Sequence, residues 1–312
     1  MNVTNPIAMI FEPISLLLIM ILVGFLLGKG GVFQQGFNQS LTFFLLKVTL
    51  PALIFVSMLK DYDPELLLDV LLILLVSFAC YGLYMLVAIV FTSSMRIPRS
   101  ESGLFQFALI FSNVGFMGFP IVEALWGRDY IFHTAIFNMP FHLFLFTLGV
   151  VLMTRGKAQH KGFEWKLLLS PGILATVLGF FFFLFSWRPP ELLVKGLDML
   201  GSLTTPLSMI LIGSLLSALP KRAWGGNLPI WALCSVRLLV LPLLVFFLLQ
   251  FFPLPQEISR IAVIISAMPA AANTPLLAHE YGSHELLASQ VVFLTTLLSF
   301  ITLPIMLMVL NF

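Results

Sequence analysis

Asn113-Val-Gly-Phe-Met-Gly-Phe-Pro120 and Met268-Pro-Ala-Ala-Ala-Asn-Thr-Pro275 are the least helix-friendly stretches of an otherwise apolar chain, and each interrupts a run long enough to cross a bilayer. Proline removes an amide donor and clashes with the preceding turn, and glycine adds backbone freedom, so both runs are expected to unwind midway. Amides and carbonyls freed in hydrocarbon are tolerated only where they are buried in protein or line a wet cavity. Matching interruptions in two halves of a chain point to a transporter's substrate site. Asn113, Gly118 and Pro120 in the first stretch, with Pro269, Asn273 and Pro275 in the second, are therefore candidate substrate-binding residues. The plainer reading is a pair of kinks held by neighbouring helices. Two breaks at equivalent positions, each carrying an asparagine, favour a site.

The equivalence is visible at a lag of 155 residues, which maps Pro51 to Pro206, Pro98 to Pro253, Pro120 to Pro275 and Gly127 to Gly282. Repetition at one lag without a gap reads as duplication. Working outward from the breaks, apolar runs give ten spans: 10 to 28, 38 to 59, 66 to 92, 102 to 125, 130 to 153, 167 to 186, 196 to 219, 229 to 252, 258 to 278 and 285 to 310. Each is long enough for a hydrocarbon core of about 30 Å. Five spans per copy is an odd number, so the second copy must enter the bilayer upside down. The expected fold is an all-α integral membrane protein of ten transmembrane helices, built as two inverted five-helix repeats, residues 1–155 and 156–312.

Composition requires the membrane. Of 312 residues 60% are hydrophobic and 10% charged, against about 25% charged in a soluble domain. Met1 to Phe11 has no Lys or Arg ahead of the first run, so that run reads as a permanent helix and not a cleaved signal. Loops after odd-numbered spans hold nine basic residues (Lys29, Arg96, Arg99, Arg155, Lys157, Lys161, Lys166, Lys221, Arg222), and loops after even-numbered spans hold five (Lys60, Arg128, Arg188, Lys195, Arg260). The positive-inside bias then makes the odd loops cytoplasmic and leaves both termini outside the plasma membrane. Cys80 and Cys234 lie in apolar stretches far from any partner, which indicates neither disulfide nor metal. The net charge of +2 comes without a dense basic cluster, so nucleic acid is not an expected partner.

At the two interruptions the sequence resembles the auxin efflux carrier family, which includes plant PIN auxin exporters and bacterial permeases assigned to small dicarboxylates such as malate and malonate. Asn113 to Pro120, followed by Trp126-Gly127, looks like the family's Asn-x-x-x-Met-Gly-x-Pro motif. Met268 to Thr274, followed by Ala278-His-Glu280-Tyr281-Gly282, is similar to the second crossover of the bacterial members. Leu50-Pro51-Ala-Leu-Ile-Phe55, Pro206 to Gly213 and Arg237-Leu-Leu-Val-Leu-Pro242 match further family stretches. The resemblance implies helices four and nine crossed at their breaks, spans 3–5 and 8–10 as a moving domain, and spans 1, 2, 6 and 7 as a dimerising scaffold. It also implies elevator-like alternating access. The long hydrophilic loop of the plant exporters is absent, so auxin itself is not indicated.

Lys47 and Arg237 are the basic residues well inside spans, each about 12 to 14 Å from the cytoplasmic end at ~1.5 Å per residue. Charges within a membrane are functional candidates. A lysine stem can also snorkel to the interface. Arg237, whose repeat equivalent is Gly82, breaks the symmetry and is a candidate for binding substrate. Asn138 and His142 share a helix face; Asn138 is a candidate cavity residue, with an interhelical hydrogen bond as the bland alternative. His279-Glu280-Tyr-Gly-Ser-His284 lacks the i, i+4 spacing of a zinc hydrolase.

The function expected is secondary transport of a small organic anion, a mono- or dicarboxylate. A channel would show charge rings or a filter loop, and an intramembrane enzyme a G-x-S-G or paired mid-span aspartates. No cofactor is implied. The coupling ion, Na+ or H+, is not named by these residues, since no Asp or Glu sits at midplane to relay protons.

Overall fold

The computed structural model of the chain describes residues 6–33, 36–155, 170–219 and 223–309. Their regular structure is helical except for one isolated antiparallel bridge. In chain order the helices are α1 (Pro6–Lys29), α2 (Phe37–Ser57), α3 (Pro64–Ser94), α4 (Arg99–Ile110), α5 (Val114–Trp126), α6 (Asp129–Phe144), α7 (Thr147–Met153), α8 (Pro171–Leu184), α9 (Glu191–Ala218), α10 (Leu228–Leu249), α11 (Gln256–Ser266), α12 (Thr274–Glu280) and α13 (Glu285–Val309).

Six of the described helices, within α1, α2, α3, α9, α10 and α13, are long and apolar enough to span a membrane, and a seventh span is added if α6 and α7, bent by 42°, count as one. The ten-segment reading differs because of the interruptions themselves. Segment 102 to 125 is cut into α4 and α5, and segment 258 to 278 into α11 and α12, leaving pieces of which none is long enough to cross alone. Segment 167 to 186 is described only as the 14 residues of α8. The expected cytoplasmic connection beyond Arg155 lies outside the described residues, as do Lys221, Arg222 and both extreme termini.

The helices start where local chemistry favours it. Asn227 caps α10 by accepting from the Ile230 amide at 3.2 Å, with Pro229 in the first turn, where its missing N–H is not needed. Glu65 opens the 31-residue α3, a carboxylate at the positive helix end. Pro120 and Pro275 occupy the first turns of the α-helical parts that begin at Phe119 and Thr274. Both helices stop before a glycine of positive φ, Gly127 at 83° and Gly282 at 63°, a conformation glycine adopts without strain. These positions keep the lag of 155. At the preceding half-helices the lag is 157, because Pro98 starts α4 and Pro255, not Pro253, starts α11 with the same φ of −53° and ψ of 142°.

The chain forms two compact units, each drawn from both halves of the sequence. The first comprises Met1–Leu74, Gly115–Phe137 and Leu169–Ala218. Within it α1 runs along α9 on a seam of small residues, Gly24 and Gly28 against Gly213 and Ser217. A Cβ on Gly24 would lie 2.1 Å from the Ile210 carbonyl oxygen, and one on Gly213 would lie 2.0 Å from that of Ile21. Such close backbone approach is how helices associate where burial from water gives no drive. One end of this unit carries ion pairs: Lys60 with Asp129 at 3.1 Å, Arg188 with Asp61 at 2.7 Å, and Arg128 with both Glu123, at 3.0 Å, and Asp198. Thr205 donates to the other Glu123 oxygen at 2.5 Å.

The second unit comprises Leu75–Val114, Asn138–Leu168 and Leu219–Phe312. Its core holds Phe105, Phe107 and Phe111 together with a buried face of α13. Gly103 abuts the Leu152 carbonyl, where a Cβ would meet oxygen at 2.0 Å. A polar chain runs from buried Thr92 to Gln106, at 2.9 Å, and on to exposed Arg155, at 2.8 Å.

Candidate functional site

The site is built where α4 and α11 stop. After Ile110 the backbone becomes extended, with Phe111 at φ −97° and ψ 113°, and the chain beyond Ser266 turns into Pro269 and Ala270. The two extended stretches pair antiparallel around Ser112 and Ala270. The Asn113 amide donates to the Pro269 carbonyl at 2.9 Å, and the Ala271 amide donates to the Phe111 carbonyl at 3.0 Å. The Ala270 amide donates to Thr295 Oγ1 of α13 at 3.2 Å, and that hydroxyl donates onward to the Val291 carbonyl at 2.7 Å. Each break thus supplies the hydrogen bonds the other lost, which is what backbone at membrane depth requires.

Arg237 of α10 lies against this pairing and is fully buried. Its Nε donates to the Met268 carbonyl at 3.0 Å and its Nη1 to the Leu109 carbonyl at 2.8 Å, while Nη2 donates to Ser112 Oγ. The guanidinium also stands over the Tyr84 ring, 5.9 Å from its centroid. The Tyr84 hydroxyl shares a hydrogen bond with Ser266 Oγ at 2.5 Å, so one more side chain holds the end of α11.

Of the residues singled out from sequence, Asn113, Pro269 and Arg237 come together in this cluster. Asn113 is 3% exposed, and its side-chain Nδ2 is a donor without a partner. Asn138, in the turn that divides α6 just before Pro140, is in the same unit; it is 8% exposed, with Oδ1 an unpartnered acceptor. Leaving such a group unsatisfied costs about 1–3 kcal/mol. Asn273 is half-buried at the start of α12, and its side chain does not cap the helix; Pro275 follows, also half-buried. Gly118 and Pro120 are buried in the first unit, where they lead into the α-helical part of α5. Lys47 is exposed, in a wide π-helical turn of α2, and edges an apolar groove lined by Pro51, Phe55, Ala175, Phe182 and Leu197. Arg237 sits in a turn of the same kind, Val236–Val240.

The sequence reading missed Ser112, Thr295, Tyr84 and Ser266. A polar residue within an apolar span is a signal in each case, yet its partner lies on a different segment. Among the described residues no group of three or more His, Cys, Asp or Glu is placed to hold a metal ion. What the cluster offers a ligand is one sealed amide donor beside a rigid main-chain bridge, with a buried cation behind it.

Comparison with known proteins gives the context. A family model described as membrane transport protein matches residues 9–307. An uncharacterized transporter of Methanocaldococcus jannaschii is 24% identical over 303 residues, covering 94% of this chain and 96% of the relative. An uncharacterized transporter of Methanothermobacter thermautotrophicus is 24% identical over 297 residues, with the same coverage of 94% and 96%. A protein of Rhizobium meliloti that carries the provisional name malonate transporter is 24% identical over 230 residues, 70% of this chain and 71% of its own length.

Proposed function

From a chain that belongs to the membrane transport protein family, the auxin-efflux-carrier-like transporters, we infer a secondary carrier for a small organic anion, a mono- or dicarboxylate, working by alternating access. The observation that carries the reading is the unpartnered Nδ2 of Asn113, a buried donor set beside two helix breaks that are bonded to one another. A carboxylate is an acceptor-only group and is the natural complement of such a donor. Arg237 adds a permanent positive charge in a low-dielectric setting. The resemblance to a protein named for malonate points the same way.

The transport cycle fits a plan of ten helices in two inverted repeats, with the paired capping of α4 and α11 and of the helices after the breaks as its support. Exchange of the roles of the two repeats would expose the crossing first to one side and then to the other. The scaffold of spans 1, 2, 6 and 7 would form a homodimer in the bacterial inner membrane, with both termini outside. Among the described residues no carboxylate is paired with Arg237, so its positive charge is not cancelled by a fixed anion. The test is binding of mono- and dicarboxylates, their amides and matched amines to purified protein, read by thermal shift. Stabilisation by carboxylates alone is expected; preference for a neutral or cationic compound would overturn the reading.

A further inference from the structure

We infer that Arg237 is a positioning residue, a single cation that caps the C-terminal ends of α4 and α11 together and acts on the anion through them and not by contact. The inference rests on the anion reading above and assigns Arg237 a different part in it. Arg237 lies nine residues from the start and twelve from the end of α10, about 14 and 18 Å into the span. An arginine sealed at that depth needs a countercharge. None of the ion pairs among the described residues involves it.

The countercharge is main-chain. The last carbonyls of a helix lack intrahelical partners and carry roughly half a negative charge in sum. Leu109 is the penultimate residue of α4, and Met268 lies two residues past the end of α11. Their carbonyls accept from Nη1 and Nε of the same guanidinium. One helix-terminal carbonyl and one carbonyl just beyond the other helix thus turn their partial negative charge to the single positive charge. The third nitrogen takes Ser112 Oγ, within the bridge itself. Every nitrogen of the head group therefore already has an oxygen partner inside the protein.

This arrangement has a function beyond stability. Without the cation, two negative helix ends would face the place where an anion must sit, and the bridge at Ser112 and Ala270 would lose the group that draws both ends together. Lysine would restore the charge but not the planar fork that reaches three acceptors at once.

The test uses the full-length protein in lipid nanodiscs, with Arg237→Gln and Arg237→Lys. Hydrogen exchange is measured first without any ligand. Arg237→Gln is expected to speed exchange of the Asn113 and Ala271 amides by about tenfold or more, with α1 and α9 unchanged, and Arg237→Lys to recover part of the protection. Unchanged exchange at these amides would overturn the cap. Affinities for acetate, malonate and malonamide are then compared across the same proteins. The loss in Arg237→Gln should be largest for malonate and smallest for malonamide; equal losses for all three would reduce Arg237 to a purely structural part. If wild-type protein binds neither carboxylate, the anion reading fails, while the exchange result still decides the cap.

Discussion

At Asn113 the side-chain donor is unpartnered while the same residue's backbone amide is held by Pro269, so truncation should remove a ligand contact without unfastening the break. We expect Asn113→Ala to weaken carboxylate binding by more than about tenfold, or about 1.4 kcal/mol. Asn273→Ala should act likewise. Lys47→Ala should change affinity by less, since Lys47 is exposed at the edge of an apolar groove in the other unit. Isothermal titration of each purified variant beside a thermal-unfolding control checks this, and a normal Asn113→Ala titration would contradict it. The asparagines and prolines could be read from the sequence because they are rare in apolar runs. Ser112 and Tyr84 could not, because what gives them a part is a partner on another span, 125 residues away for Ser112 and Arg237 and 182 for Tyr84 and Ser266.

The elements carry two expectations of different kinds. Pro275 stands in the first turn of the helix that follows its break, and Pro120 follows the wide π-helical turn Val114–Gly118 that opens α5, so alanine at either place would remove a constraint on the irregular backbone before it. Transport should be lost in both variants while membrane insertion persists; uptake at wild-type rate in proteoliposomes would show the prolines to be ordinary kinks. On the seam of α1 and α9, Gly24→Leu places a side chain where even a Cβ would sit 2.1 Å from a carbonyl oxygen. Overpacking of this kind costs about 1–3 kcal/mol or more, so the melting temperature in detergent should fall. The breaks were legible because Pro and Gly act locally. The π-helical turns under Lys47 and Arg237 were not, since the apolar residues around them suit a regular helix equally well.

For the molecule as a whole, composition alone places the chain in a bilayer, because 10% charged residues leave too little polar surface to face water. The grouping into two units was hidden, since each interleaves three separate stretches of chain and no run of residues announces that. Orientation rests on the nine-to-five split of loop charges. Reporter fusions placed within 156–166 and after Phe312 should read opposite sides of the membrane, with the central connection cytoplasmic; activity on one side for both would sink the ten-span plan. One feature of the crossing reaches beyond any single variant. The two breaks are joined by amide and carbonyl groups, which every residue but proline possesses, so the join is indifferent to most changes of side chain. Cargo preference can therefore drift over generations while the frame that presents it is inherited intact. Random substitution at Asn113 and Asn273 should yield many folded proteins with altered ligand choice, and few that fail to assemble.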